Sequence, residues 1–337
     1  LYRALKAGLD PGKIVYSGVG KTREDMEYAL QSRILMFNVE SSQEILVLNE
    51  IAGRTGKKAA VSIRVNPDID PQTHPYISTG LRENKFGIDI RQALEEYTRV
   101  SGLKNLTVSG VSCHIGSQLT RLSPFVDALK KLKELIGRLK EIGIGVSYLD
   151  LGGGLGITYD QEEPPHPREY AKAIKEELDS KDVTVVLEPG RVIAGNAGIL
   201  VTSVLYKKTT AEKSFIIVDA AMNDLIRPSL YGSFHAIEPV RVKSRKKITA
   251  DVVGPICESS DFLAKDREMD AFETGDLLAV MSAGAYGFSM SSNYNSRPRI
   301  AEVLGRGDAY HLIRARESYE DLVRGETIPD FMRIADR

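Results

Sequence analysis

The residues able to do chemistry cluster at the ends of short β-rich runs. The runs are KIVYSG (13–18), LMFNVE (35–40), AAVSIRVN (59–66), LTVSGVSCHIG (106–116), VSYLDLGGG (146–154) and VTVVLEPGR (183–191). They end in or contain Ser17-Gly18, Asn38, Arg64, His114, Gly152, Gly153, Gly154 and Glu188. Hydroxyl, amide, guanidinium, imidazole and carboxylate groups are the types that orient ligands and move protons. A glycine run lets main-chain N–H groups approach a phosphate closely.

Three local patterns suggest other chemistry and fail on spacing. GVGKT (18–22) resembles a phosphate-binding loop, but that motif needs glycine at position 15, which is valine. A strand running into a helix capped near Thr22 accounts for it. GGGLG (152–156) is not the dinucleotide pattern, because its last glycine falls one residue early. Without further context it is equally a phosphate-approaching turn or a plain loop. Cys113-His114 has no second Cys/His cluster at ligand spacing, so no metal is expected.

The elements that must position these residues alternate. Helical patterns lie at Thr22–Ser32, Ser42–Arg54, Ile90–Val100, Ser123–Ile142 and Arg168–Leu178. The fourth carries apolar residues at Phe125, Leu129, Leu132, Leu135, Ile136 and Leu139, the spacing of one buried helix face. Strand and helix in alternation imply a parallel sheet covered by helices. Polar strand ends suit a (β/α)8 TIM-type barrel, whose chemistry sits at the C-terminal ends of its strands. Six such strands are present where a barrel needs eight, so two are expected before Leu1. The opening LYRALKAG is helix-like and lacks an initiator Met, which agrees.

Beyond about Ile199 the texture changes. ILVTSVLYKK, SFIIVDA, VRVKS, ITADVVG and DLLAVMSAG are strand-like with few helices between them. A mainly antiparallel β domain is expected there, with a helix near the end of the chain. The expected domains are 1–198 and 199–337.

Composition sets wide limits. The 337 residues are 42% hydrophobic, enough for a sizeable core. Lys+Arg is 45 and Asp+Glu is 46, a net charge of -1 that points to neither nucleic acid nor an anionic membrane as partner. Apolar runs such as 183–187 and 214–218 are too short to span a membrane. Two cysteines, Cys113 and Cys257, argue against a disulfide framework and make a reduced, cytoplasmic setting the expectation.

Nine segments, in order along nearly the whole chain, resemble the fold-III pyridoxal-phosphate (PLP) decarboxylases, alanine-racemase-like barrels with a β domain. They are SGVGKT (17–22), RVNP (64–67), KFG (85–87), CHIGSQ (113–118), GGGLG (152–156), EPGR (188–191), AMNDLIRPSLYG (221–232), GPICESSD (254–261) and AGAYGFSMSSNYN (283–295). RPSLYG and CESSD are particular to the diaminopimelate branch. The resemblance implies decarboxylation of meso-2,6-diaminopimelate to L-lysine and CO2, the last step of lysine biosynthesis.

The resemblance also implies roles. Glu188 matches the carboxylate beside the pyridine nitrogen, where negative charge favours the protonated ring. His114 matches the imidazole stacked on the ring. Ser117, Gly152, Gly153, Gly154, Gly190 and Arg191 match the cofactor cradle, and Tyr286 a residue near cofactor and substrate. Arg191 and Arg227 match substrate arginines, suited to a planar carboxylate. Tyr231 could add a hydroxyl donor and Glu258 an anion for the distal ammonium. Cys257 matches the thiol that returns a proton to the α-carbon, acting in the partner's site of a homodimer with shared active sites. The lysine that holds the cofactor lies in a segment upstream of everything here; Lys21 and Lys85 belong to other motifs. Another fold-III decarboxylase, for ornithine, arginine or carboxynorspermidine, would have no use for Arg227. A non-catalytic relative would have no need of His114, Glu188, Arg191, Cys257 and Glu258 together.

Overall fold

A computed structural model describes residues 1–70, 85–179 and 182–332. The chain divides into two units, Leu1–Ile157 with Glu162–Val192, and Thr158–Gln161 with Ile193–Arg337.

The first unit is a parallel sheet. Its strands are β1 (Val15–Tyr16), β2 (Met36–Val39), β3 (Ala59–Asn66), β4 (Ile88–Asp89), β5 (Leu106–Ser112), β6 (Tyr148–Asp150) and β7 (Thr184–Val186). The order is β1-β2-β3-β5-β6-β7, with β4 paired to the end of β3. The helices are α1 (Tyr2–Lys6), α2 (Arg23–Ser32), α3 (Ser42–Arg54), α4 (Ile90–Ser101), α5 (Ser123–Glu141), α6 (Pro167–Leu178) and the single turn α7 (Arg191–Ala194). The five helical patterns of the sequence fall on α2 to α6. Among the described residues no helix is long and apolar enough to cross a membrane.

Local chemistry starts these helices where they start. Thr22 caps α2 through a reciprocal pair of hydrogen bonds with Asp25, so GVGKT is indeed a strand-to-helix turn. Ser41 and Asp89 cap α3 and α4, each accepting a main-chain N–H of the first turn. Pro167 follows the His166 cap at the start of α6.

The two faces of the sheet differ sharply in character. Paired residues on neighbouring strands point to the same side, and side chains alternate along each strand. The pairs Phe37↔Val61, Val39↔Ile63, Ile63↔Val111 and Val111↔Leu149 therefore share one apolar face. Helix residues such as Ile45, Leu48, Ile51, Leu129 and Leu132 bury themselves in the same core. The opposite face holds Asn38↔Ser62, Arg64↔Ser112 and Ser112↔Asp150, all buried and all polar. Burying so many polar groups is costly unless they bond one another.

The second unit is a six-stranded sheet. Its strands are β8 (Leu200–Thr209), β9 (Ser214–Val218), β10 (Ile237–Pro239), β11 (Lys247–Val253), β12 (Phe262–Asp270) and β13 (Leu277–Val280), in the order β10-β13-β8-β9-β11-β12. All neighbours are antiparallel except β9 and β11, which run parallel. A hairpin of β14 (Glu302–Arg306) and β15 (Ala309–Arg314) forms a separate sheet. The helices are α8 (Arg227–Tyr231) and, near the end of the chain, α9 (Tyr319–Leu322). VRVKS, expected as a strand, is not one. β10 ends at Pro239, which has no N–H to extend a ladder, and Val242 is 90% exposed.

The parallel sheet carries one irregularity. Between Val61↔Val108 and Ser62↔Gly110 the register of β3 and β5 shifts by one residue. The fully buried Tyr97 of α4 sits there. Its hydroxyl accepts the N–H of Ile63 at 3.1 Å and lies 2.8 Å from the carbonyl oxygen of Gly110. Tyr97→Phe would leave these main-chain groups buried and unpaired, so a loss of about 1–3 kcal/mol is expected. Denaturant unfolding checks it, and an unchanged midpoint and slope would show that the shift is held by other contacts.

Candidate active site

Every polar strand end of the first unit that was read from the sequence meets its neighbours. Glu188, two residues beyond β7, accepts from the Ser17 hydroxyl at 2.6 Å and from Asn38 Nδ2 at 3.4 Å. The same Asn38 Nδ2 donates to Asp150 Oδ2 at 2.8 Å and to Ser17 Oγ at 2.9 Å. Asp150 Oδ1 accepts the N–H of Gly152 at 2.9 Å. These donors are all neutral. Asp150 also shares a hydrogen bond with the Glu188 carboxyl. Burial, and then the neighbouring Glu188 charge, push Asp150 up to about 7. Asn38 Oδ1 is buried with no hydrogen-bond partner.

His114 faces the glycine turn. Its Nδ1 accepts the N–H of Gly153 at 3.1 Å, which puts the imidazole proton on Nε2. Burial, followed by the nearby Arg64 charge, lowers it to about 4, so the ring is neutral at neutral pH. The turn itself admits only glycine. A Cβ at Gly153 would lie 2.1 Å from the Glu188 carbonyl oxygen, and one at Gly154 would lie 2.3 Å from that of Gly116. Gly152 and Gly154 also have φ of +65° and +109°.

One expectation needs correcting here. The N–H groups of Gly152 and Gly153 are not directed at a ligand, because Asp150 and His114 already accept them. Ser117 Oγ and Arg191 Nη2 are brought together at 3.1 Å. Gly190 is exposed and open where a Cβ would stand.

Neither lysine named above has the surroundings of a cofactor-bearing group. Lys21 donates to the carbonyl oxygens of Gly18 and Asn38 at 2.7 and 2.6 Å, and pairs with Glu44 at 2.8 Å. Three acceptors saturate an ammonium, and burial raises Glu44 above the ordinary carboxylate value. Lys21 ties the first loop to β2 and α3. Lys85 lies 5.3 Å from the centre of the Phe86 ring. The same loop is fixed by the ion pair of Arg64 and Glu40 at 2.9 Å, with Gly87 N–H donating to Glu40.

The second unit has its own polar cluster. Arg227, buried at the start of α8, has Nη1 2.8 Å from Nε2 of the fully buried His235. His235 Nδ1 lies 2.8 Å from the Met281 carbonyl oxygen. Arg227 cannot accept, so His235 donates to Met281 and accepts from Arg227. The guanidinium also stacks 4.4 Å from the Tyr159 ring centre. Tyr231 closes α8 one turn later.

The CESSD turn is held by Asp261, whose carboxylate accepts the N–H groups of Met222 and Ile256, both at 2.7 Å. Cys257 is exposed. Glu258 accepts from the Ser260 hydroxyl and from the Tyr294 hydroxyl, the latter at 2.5 Å, and these bonds, Ser260 foremost, hold its carboxyl below the ordinary range. Tyr286 is exposed and has a left-handed backbone, φ 59°. His235, Asp261, Tyr294 and the bond between Asp150 and Glu188 were not foreseen. The one signal for Asp150 was its place in YLDLGGG, an acidic residue on a strand just before the glycines.

The first unit fits the group that the resemblance implies. A half-buried carboxylate set by neutral donors and a neutral imidazole suit a flat cationic heteroaromatic ring, and the Arg191 guanidinium beside the Ser117 hydroxyl suits its phosphate. Ser117, Gly154, Gly190, Arg191, His114 and Glu188 are the residues that would hold it. Among the described residues no group of three or more His, Cys, Asp or Glu gathers as a metal site would need.

Residues 1–195 match the family described as pyridoxal-dependent decarboxylase, pyridoxal binding domain. The chain is 56% identical over 324 residues to the diaminopimelate decarboxylase of Aquifex aeolicus, spanning 96% of this chain and 77% of that one. To the diaminopimelate decarboxylase of Pseudomonas aeruginosa it is 56% identical over 328 residues, 97% of this chain and 79% of the other. Among solved structures it is similar to the diaminopimelate decarboxylase from Helicobacter pylori complexed with L-lysine. There the TM-score is 0.92 and the identity 46%, covering 96% of this chain and 81% of that one.

Proposed function

Since the chain belongs to the diaminopimelate decarboxylases, we propose that it removes one carboxyl group of meso-2,6-diaminopimelate and releases CO2 and L-lysine. It is a carboxy-lyase of the pyridoxal-phosphate type. The observation that carries the mechanistic reading is Glu188, an acceptor fixed by Ser17 and Asn38 at the end of β7. When bound, pyridoxal phosphate supplies an electron sink for the carbanion that loss of CO2 leaves, provided its ring nitrogen is protonated.

The chain's own groups take the remaining tasks. Glu188 places negative charge at the ring nitrogen. His114, neutral and locked by Gly153, would lie against the ring without adding a competing positive charge. Ser117, Gly154, Gly190 and Arg191 receive the phosphate, and Arg191 and Tyr286 also meet the substrate. Arg227 binds the carboxylate at the unreacted end, helped by Tyr231, and His235 keeps its guanidinium in one orientation. Glu258, an anion by virtue of Tyr294 and Ser260, takes the distal ammonium. Cys257 returns a proton to the α-carbon. Its exposure suits action in the site of a second copy, so the working form is a homodimer with shared sites. Both cysteines are free thiols, in keeping with a cytoplasmic enzyme.

Two experiments test this reading. The first follows lysine and CO2 from meso-diaminopimelate in the unaltered protein and in Arg227→Ala. The variant should lose roughly 10–100-fold in kcat/KM, the worth of a charge-assisted hydrogen bond. Binding of L-lysine, which keeps that carboxylate, should weaken in parallel. Binding of 1,5-diaminopentane, which has none, should be unchanged; equal weakening of both would remove Arg227 from the substrate. The second mixes two inactive variants, Cys257→Ala and Glu188→Gln. In a shared-site dimer one mixed site is intact, so activity partly returns. Demonstrated subunit exchange with no return of activity would contradict shared sites.

A further inference from the structure

Asp150 has a place in the site that none of the roles above uses. It is fully buried, and both carboxyl oxygens are fixed: Oδ1 by the N–H of Gly152 and Oδ2 by Asn38. Asn38 Nδ2 reaches both Asp150 and Glu188 and so clamps the two carboxyl groups side by side. Asp150 lies behind Glu188, which alone of the two is part-exposed. Two carboxylates in contact in a dry site cannot both ionise easily; one proton between them removes the repulsion and makes the contact a hydrogen bond.

We propose that Asp150 and Glu188 are a single proton-sharing pair, and that Asp150 is the positioning residue that gives up the shared proton when the cationic ring of pyridoxal phosphate is bound. The inference rests on the assignment of Glu188 to the ring nitrogen. The step balances with water as the only further reactant. One carboxyl O–H bond breaks and its proton passes to water. The pair passes from one negative charge to two, and the second charge is stabilised by the positive charge that the bound ring would carry. Asp150 then keeps its charge on the hydrogen bonds from Asn38 and Gly152.

The surrounding groups leave the proton to the pair. Cys113, at the end of β5, is pushed by burial up to about 12 and stays a neutral thiol. His114 is neutral above about 4. Burial raises Tyr170 of α6, and its hydroxyl stays protonated. Arg64 is paired with Glu40, and Lys21, which donates to the main chain of Asn38, is paired with Glu44. Ser17 and Asn38 do not titrate. Within this set Asp150, pushed up to about 7, is the group poised to hold or yield a proton near neutrality.

The sign of the pH effect follows. Between the ordinary value of 3.8 and about 7 the folded chain holds a proton that the unfolded chain has lost. Stability contributed at this position therefore falls as pH rises through that window and levels off above it. Asp150→Asn should abolish this slope in the cofactor-free protein. The variant keeps the acceptor for Gly152, and the unpartnered Oδ1 of Asn38 can turn to accept the new amide.

The direct test uses infrared difference spectra and calorimetry on cofactor-free protein. The unaltered protein should show a protonated-carboxyl stretch at neutral pH that disappears on adding pyridoxal phosphate. Asp150→Asn should lack it, and Glu188→Gln, which removes the partner carboxyl while Asp150 stays buried, should shift it, so the result does not hang on one variant folding. In paired buffers of different ionisation enthalpy, Asp150→Asn should take up one more proton per cofactor bound than the unaltered protein. Absence of the carboxyl band in the cofactor-free protein would overturn the pair. Its persistence after cofactor binding, with equal proton uptake by both proteins, would overturn the release of the shared proton. Failure to decarboxylate diaminopimelate would instead strike the functional assignment, since the band is read before any cofactor or substrate is present.

Discussion

The structure of the first unit depends on keeping negative charge in a buried place without an adjoining cation. Glu188 and Asp150 are held by a hydroxyl, an amide side chain and a main-chain N–H, all neutral donors. A guanidinium in the same position would satisfy a carboxylate more strongly, but it would also occupy the charge that a pyridinium needs. Arg64 is close enough to influence His114, yet it is spent on Glu40. Lys21 is likewise spent on Glu44. Arg64 and Lys21 are thus bound in ion pairs of their own, away from the two carboxyl groups.

That constraint reaches outward through the sheet. Every strand must give one apolar face to the helices and one polar face to the site, and the parallel register aligns Asn38, Ser62, Arg64, Ser112 and Asp150 on a single side. The glycines serve the same end. Gly153 is glycine because the Glu188 main chain passes through the space of its missing Cβ, and its N–H fixes the tautomer of His114. The turn thus sets the imidazole, the Asp150 carboxyl and the approach of the Glu188 strand together. In the second unit the same economy recurs: His235 holds Arg227, and Asp261 holds the turn that carries Cys257 and Glu258.

Much of this was legible in the residues. The apolar spacing along α5 marks its buried face, and the polar strand ends mark the site. Elements whose stability is local read well, as the Thr22 cap shows. What could not be read depends on partners far along the chain. Asn38 and Asp150 are 112 residues apart, and His235 and Met281 are 46 apart. The glycine run suggested free N–H donors, and nothing in its sequence tells that Asp150 and His114 accept two of them. β12 was missed because its run KDRE breaks the apolar alternation, whereas VRVKS has that alternation but follows a proline that ends the pairing.

The account's central claim is that Glu188 sets the charge of the ring nitrogen. The most direct measurement is the nitrogen NMR shift of pyridoxal phosphate labelled at that nitrogen and bound to the protein, followed across neutral and mildly alkaline pH. In the unaltered protein the nitrogen should stay protonated throughout. In Glu188→Gln, which keeps the shape and loses the charge, it should be unprotonated at the same pH. A nitrogen that is unprotonated in the unaltered protein, or equally protonated in both, would contradict the claim.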